Sequence, residues 1–209
     1  FIFYSISQQI SSKIAVPLNA YNNIYIAKLS KNYKNKKAQE HLSNSLLTYA
    51  LFMFFFILLF FPFLEQLLQL WLTSSYSKEY HNLLKIFFMI VMFSSLSNLL
   101  IDHYDINSRS KISSFYEICF MPIFFILAYY AIVNKNIYMF ALSILSKDIL
   151  LFLIRALNAK QEIFDKKIIF FSLFLSTLTC ILSFYSINYY YYSILFQLII
   201  LIKIFPIKK

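Results

Sequence analysis

One apolar run constrains the fold of this chain more than any other feature of its sequence. Residues 46–64 read LLTYALFMFFFILLFFPFL and contain no charged residue. About 20 predominantly apolar residues are enough to cross a bilayer as a helix. Lipid offers no hydrogen bonds to the backbone, so only helices or a closed β-barrel can span it. Barrel strands are alternating segments of about ten residues, and the long continuous run therefore predicts an all-α membrane protein.

The whole composition agrees with that fold class. Sixty per cent of the residues are apolar and 13% are charged, whereas about 25% are charged in an ordinary soluble domain. Seven spans are predicted, at 1–27, 44–72, 83–105, 112–134, 137–158, 167–187 and 189–207. The chain is thus expected to be a polytopic helical bundle of about seven transmembrane helices, with connections too short for a soluble domain.

The basic residues predict an orientation for this bundle. If the connection 28–43 is cytoplasmic, the same side receives Lys28, Lys31, Lys34, Lys36, Lys37, Arg109, Lys111, Arg155, Lys160, Lys166, Lys167, Lys203, Lys208 and Lys209. The opposite side receives only Lys78, Lys85 and Lys135. Cytoplasmic loops carry an excess of Lys and Arg, so the C-terminus is expected in the cytoplasm. The two remaining basic residues, Lys13 and Lys147, lie in the middle of predicted spans, away from their ends.

Glycine is absent from the chain, and residues with AT-rich codons are abundant. We infer an AT-rich, bacterial genome. Part of the net charge of +10 then reflects codon usage, and without a soluble basic domain nucleic-acid binding is not expected. No metal-ligand spacing, Ser-His-acid pattern or glycine-rich phosphate loop is found, so neither catalysis nor a cofactor is expected.

The first predicted span is unusually polar. Ser5, Gln8, Ser12, Asn19, Asn22 and Asn23 fall on one helical face, with Gln9 and Lys13 beside it. A lysine at the centre of a membrane helix costs about 2.5–3.5 kcal/mol on insertion scales. Pro17 also frees a backbone carbonyl one turn earlier. This combination indicates a helix that lines a hydrated path; the alternative is that the helix lies near an interface, where Lys13 reaches water.

Two other spans carry intramembrane polar residues. In the third span, Asn98 and Asp102 belong to a stripe that approaches the cytoplasmic end. In the fifth span, Lys147 and Asp148 are adjacent, and neighbouring helical positions point about 100° apart. They are therefore not expected to neutralise each other, and at least one needs a partner on another helix or water. An interhelical ion pair and a substrate contact both fit, the first being the simpler. Glu117 is expected to reach the cytoplasmic interface.

Several short motifs resemble the bacterial O-antigen and capsule flippases of the multidrug/oligosaccharidyl-lipid/polysaccharide exporter superfamily. The matching pairs in the first span are Tyr4-Ser5, Lys13-Ile14, Pro17-Leu18 and Leu29-Ser30, and the next helix ends in Leu70-Trp71-Leu72. Asp148 stands where that family often carries an acidic residue. The chain departs from the family pattern at Thr73, where the family has glycine, and at Lys147, which adjoins Asp148 instead of preceding it by a turn.

The resemblance implies a transporter rather than an enzyme. Such flippases move an undecaprenyl-diphosphate-linked oligosaccharide across the cytoplasmic membrane by alternating access of two helical bundles. The expected partners are this lipid-linked oligosaccharide, membrane lipids and an N-terminal helical bundle of the same protein, residues 1–209 being its C-terminal part. Lys13 would bind the diphosphate, and Gln8, Ser12 and Asn19 would bind sugar hydroxyls. The residues expected along the path are Lys13, Gln8, Gln9, Ser12, Asn19, Asn98, Asp102, Lys147 and Asp148.

Three alternatives stay open at this stage. One is a purely structural membrane subunit, in which Lys13 and Lys147 would need only protein partners. A drug or ion antiporter of the same superfamily would favour acidic over basic intramembrane residues. A membrane-bound polysaccharide polymerase has a similar composition, but such enzymes usually carry a large periplasmic loop.

Overall fold

A computed structural model of the chain describes residues 2–32, 63–71, 78–106 and 109–158. Within these ranges the backbone forms five helices: α1 (Ile2–Asn32), α2 (Leu64–Trp71), α3 (Lys78–Ile106), α4 (Ser110–Val133) and α5 (Ile137–Asn158). None of the described residues is in a strand. The predicted helical class is confirmed for this part of the chain.

Three of the helices can cross a membrane by length and composition. Their apolar stretches are His81–Asp105, Ser110–Val133 and Ile137–Asn158, which match the third, fourth and fifth predicted spans. Helix α1 covers the first predicted span and continues to Asn32, but it is not among the three. Most of the second span and both spans after 158 lie outside the described residues. The structure therefore supports a membrane-embedded helical protein and leaves the count of seven as a prediction.

Helix α3 is the centre of the described bundle. Of its membrane-crossing part 78% is buried, compared with 28% for α5 and 11% for α4. Helices α1, α4 and α5 all pack against it. Its core side chains include Leu83, Leu84, Met92 and Leu96, which have no accessible surface. Because most of this stretch is apolar and buried, α3 depends on the surrounding helices for its stability.

The N-terminal part of α1 packs against α3 through a narrow strip of small and aromatic side chains. Ser7 and Ser11 are buried, and Tyr4 lies one turn before them on the same face. The Tyr4 ring meets the Phe87 ring of α3 edge-on, with 4.9 Å between centroids, and it lies 5.8 Å from the Phe140 ring of α5. Serines in place of larger residues let two helices approach closely in a chain that has no glycine.

Much of the surface of α4 is apolar and exposed. Ile118, Phe125, Ile126 and Ile132 are all more than 60% exposed. An exposed apolar surface of this kind is unfavourable in water but is compatible with lipid hydrocarbon. The outer side of α4 therefore suits contact with the bilayer, whereas Ala128 and Ala131 are buried on its inner side.

Helices α4 and α5 are joined by a tight turn at residues 134–136. The N–H of Asn136 bonds to the carbonyl of Ala131, and the N–H of Lys135 bonds to that of Ile132, which is the Schellman arrangement of a helix C-terminus. The Asn136 side-chain oxygen then accepts the N–H groups of Tyr138 and Met139 and caps α5. Both helix ends are thus satisfied within three residues, which holds α4 and α5 antiparallel.

The turn contains one residue in an unfavourable conformation. Lys135 has φ of 51°, a left-handed geometry that glycine adopts without a steric cost. We expect Lys135→Gly to raise the free energy of unfolding by about 1 kcal/mol. Lys135→Val, which is β-branched, should lower it. The midpoint of unfolding by a denaturing detergent, compared with the unchanged chain, measures both effects; a destabilised glycine variant would show that the left-handed geometry is wrong.

Candidate functional site

The polar residues of α1 that the sequence singled out lie on its exposed side. Gln8, Gln9, Ser12, Lys13 and Asn19 are all exposed in the described part of the chain. They lie to one side of the strip at Tyr4, Ser7 and Ser11 that packs against α3. The helix thus presents an amide-rich face with one ammonium group, and we call the five exposed residues the α1 polar face.

Some groups on the α1 polar face are satisfied within the helix itself. Ser12 Oγ donates to the carbonyl of Gln9 at 2.8 Å, and Gln9 Nε2 donates to Ser5 Oγ at 3.5 Å. Pro17 lies inside the helix and has no N–H, so the carbonyl of Lys13 lacks its usual helical donor. Position 13 therefore offers both a cation and a carbonyl without its helical donor. Ser12 already donates its hydroxyl proton within the helix, so it contributes less than its neighbours to the binding of a ligand.

The stripe predicted on α3 is partly exposed. Asn98 is exposed and Asp102 is half-buried. Asn98 follows Phe87 by three helical turns and lies on the same face, and Phe87 is the residue that contacts Tyr4 of α1. The stripe is thus on the side of α3 where α1 packs. It is separate from the charged groups between α4 and α5.

Lys147 and Asp148 pair with each other, contrary to the expectation from their adjacent positions. Lys147 Nζ lies 3.6 Å from Asp148 Oδ1, and both side chains are mostly buried. The lysine side chain is long and flexible enough to bridge the 100° between the two positions. Lys147 Nζ also lies 5.3 Å from the ring centroid of Phe124 on α4, a distance at which a cation is attracted to the ring face. The neighbouring helix thus supplies an aromatic ring and not an opposite charge.

The interhelical ion pair is formed by Arg155 and Glu117 instead. Arg155 Nη2 donates to Glu117 Oε1 at 2.6 Å, and Nη1 donates to Ser97 Oγ at 2.5 Å. The Tyr104 hydroxyl donates to the carbonyl oxygen of Arg155 at 3.1 Å. Arg155 is 1% exposed, so one guanidinium connects α3, α4 and α5. We call Arg155, Glu117, Ser97 and Tyr104 the arginine cluster.

The charge pattern counts Arg155 on the cytoplasmic side, at the end of the fifth predicted span, and does not predict its pairing with Glu117. Glu117 itself is predicted to reach the cytoplasmic interface. In the structure Arg155 is buried, and the Glu117 side chain is 48% exposed. A signal was present: the two residues are almost equally far from the turn at Lys135, on opposite sides of it. In an antiparallel helical pair, such residues lie at the same level along the two helix axes. The spacing does not show whether each helix is rotated so that the two side chains face each other.

The charged residues of α5 lie along its contact with α4. Glu117 of α4 pairs with Arg155, and Phe124, seven residues after Glu117, contacts Lys147. In this region each cation has an anion beside it, through Lys147–Asp148 and Arg155–Glu117. Of the two pairs, Arg155–Glu117 joins two helices, whereas Lys147–Asp148 lies within α5; both leave little net charge to attract an anionic ligand. Lys13 belongs to neither pair, and its face is the one suited to binding.

No metal site and no relative add to this picture. In residues 2–32, 63–71, 78–106 and 109–158 no group of three or more His, Cys, Asp or Glu side chains could hold a metal ion. No protein-family model, curated protein or solved structure matches the chain. The flippase resemblance therefore rests on the sequence motifs alone.

Proposed function

We propose that the chain is part of a transporter that moves a lipid-linked oligosaccharide across the bacterial cytoplasmic membrane. The observation that carries this proposal is the α1 polar face, with Lys13 and its amides exposed in a chain that is otherwise apolar. Intramembrane polar groups usually face a water-filled cavity or a bundle interior. The α1 polar face would therefore line a hydrated path through the membrane.

The chemistry of the α1 polar face matches the head group of such a lipid. A diphosphate is anionic, and an ammonium group is a common partner for phosphate oxygens. Gln8 and Asn19 offer amide donors and acceptors, which suit sugar hydroxyls. Two other lysines lie beyond the first turn of a membrane-crossing helix: Lys85 of α3 is buried, and Lys147 already has Asp148 and Phe124 beside it. Lys13 is therefore the cation assigned to the diphosphate.

The remaining path residues receive different roles in this proposal. Asn98 and Asp102 lie on the side of α3 where α1 packs, so they extend the polar surface towards the end of α3. Lys147 and Asp148 neutralise each other within α5, and the Lys147 ammonium contacts the Phe124 ring of α4. An ion antiporter would need an acidic group available to its ion, and the pairing of Asp148 with Lys147 at 3.6 Å makes Asp148 a poor candidate for that group.

Substitution of Lys13 tests the proposal. In the complete protein, Lys13→Ala should reduce surface polysaccharide by about tenfold or more, because hydrogen bonds to charged groups contribute about 1.5–3 kcal/mol each. Lys13→Arg keeps the charge and should retain most of the transport. The assay is complementation of a strain that lacks its own flippase, with surface glycan and cytoplasm-facing lipid-linked units both measured.

Lys111→Ala is the matched control, since Lys111 is an exposed lysine at the start of α4. It should complement fully at an equal protein level in the membrane. Full complementation by Lys13→Ala would remove Lys13 from the path and, with it, the proposed function. Loss of drug or ion exchange in Asp148→Asn, with Lys13→Ala silent, would identify an antiporter.

A further inference from the structure

A cavity of 610 Å³ opens beside the turn between α4 and α5. Its walls are almost entirely apolar and include Tyr4 of α1, Ile132 of α4, and Ile137 and Phe140 of α5. Ala131 of α4 and Lys135 and Asn136 of the turn also line it. Ligand sites in proteins commonly have volumes of about 300–1,000 Å³, so the cavity has room for a substantial part of an organic molecule.

The surroundings place this cavity at the level of the lipid head groups. The turn 134–136 consists of two asparagines and a lysine, and it joins two helices that can each cross a membrane. Tyr129 and Tyr130, one turn before the end of α4, are 70% and 58% exposed. Tyrosines are enriched where membrane helices pass through the interface. The polar lining therefore lies near the phosphate layer, and the apolar walls extend towards the hydrocarbon.

The polar groups at the cavity can receive one anionic group. The Asn136 side-chain oxygen is occupied by the α5 cap, which leaves its amide N–H groups as donors. Lys135 adds an exposed ammonium. The lysine stands in a left-handed conformation that asparagine tolerates better, and asparagine occurs on both sides of it. Position 135 thus carries a lysine although its left-handed backbone favours asparagine.

We propose that this cavity binds an anionic membrane phospholipid. One hydrocarbon chain lies against Tyr4, Ile132, Ile137 and Phe140, and the phosphate binds the Lys135 ammonium and the Asn136 amide. One cation matches the single negative charge of a phosphodiester such as phosphatidylglycerol. The site is independent of which substrate is transported and is distinct from the α1 polar face.

Lipid retention measures this proposal directly. The complete protein is reconstituted with equimolar phosphatidylglycerol and phosphatidylcholine, released from the bilayer, and analysed by native mass spectrometry. The unchanged protein should retain phosphatidylglycerol in preference to phosphatidylcholine. Lys135→Gln should reduce that preference about fivefold, the effect of one basic residue near an anionic lipid surface. Ile132→Trp should also reduce retention by filling an exposed part of the cavity.

Two further variants separate lipid binding from folding. Lys135→Gly removes the ammonium while relieving the turn, so it should lose the preference in a protein that is more stable. Lys111→Gln removes a lysine from the opposite end of α4 and should leave retention unchanged. Equal retention in Lys135→Gln and the unchanged protein would overturn the proposal. Displacement of phosphatidylglycerol by equimolar undecaprenyl phosphate would overturn the phospholipid assignment and identify the carrier lipid as the occupant.

Discussion

Glu117→Ala is expected to lower the free energy of unfolding by about 3 kcal/mol, the low end of the range for breaking a buried ion pair. The reason is the environment of its partner. Arg155 is 1% exposed, and its Nε has no hydrogen-bond partner among the described residues. Removal of Glu117 leaves Ser97 as the side-chain acceptor that the described part of the chain still offers this buried guanidinium. The destabilisation stays at the low end because Glu117 itself is half exposed and its carboxylate is partly hydrated in the folded protein.

The reverse substitution should have a smaller effect. Arg155→Met leaves Glu117 with access to water, and methionine fills an irregular apolar space well. The Tyr104 hydroxyl still donates to the carbonyl of residue 155, because that oxygen belongs to the backbone. A loss of about 1 kcal/mol is expected, the typical contribution of one hydrogen bond.

The double variant distinguishes this account from a general loss of packing. Glu117→Ala combined with Arg155→Met removes the buried charge together with its partner, so it should be more stable than Glu117→Ala alone. Unfolding by a denaturing detergent in mixed micelles, followed by circular dichroism, gives all four free energies. Additive losses in the double variant would show that Arg155 is not a buried charge that depends on Glu117.

Phe152→Ala is expected to destabilise the bundle by about 3 kcal/mol, as for other buried phenylalanines. The Phe152 side chain is 1% exposed, and its ring centroid lies 6.1 Å from that of Phe93 on α3. Truncation leaves a void between α3 and α5, and the surrounding side chains lose their dispersion contacts. Helix association in lipid depends on such packing, since lipid tails are as apolar as the side chains.

Phe125→Ala is the matched control on α4. Phe125 is 62% exposed, so truncation exchanges contacts with surrounding hydrocarbon and should change stability by less than about 0.5 kcal/mol. The same unfolding assay compares the two variants. An equally large loss for Phe125→Ala would show that this side of α4 packs against protein and does not face lipid.

The helices themselves were predictable from local information. The third, fourth and fifth predicted spans agree with α3, α4 and α5 to within about five residues at each end. Run length and apolarity are sufficient for this, because the bilayer requires a minimum length and forces backbone hydrogen bonds to close within the helix. The polar character of α1 was equally visible, since Gln8 and Lys13 interrupt an apolar segment in the sequence.

The pairing of charges was not predictable in the same way. Lys147 and Asp148 were expected to need other partners, yet a flexible lysine reaches its neighbour and a phenylalanine ring on α4. The charge pattern counts Arg155 on the cytoplasmic side, yet α3, α4 and α5 bury its guanidinium. Both outcomes depend on how each helix is rotated about its axis, and periodicity is a weak guide to rotation when helices are apolar on all sides.

What the sequence by itself determined is that the chain is helical and belongs in a membrane, and that Lys13 lies in a polar segment. What only the tertiary structure decided is which polar groups are already satisfied. Contacts among α3, α4 and α5 bring Arg155 to Glu117 over 38 residues of chain, a distance that no local pattern encodes. The same packing leaves the α1 polar face exposed in the described part of the chain. The bilayer determines the length and apolarity of each helix separately, whereas charge pairing depends on how several helices pack against one another.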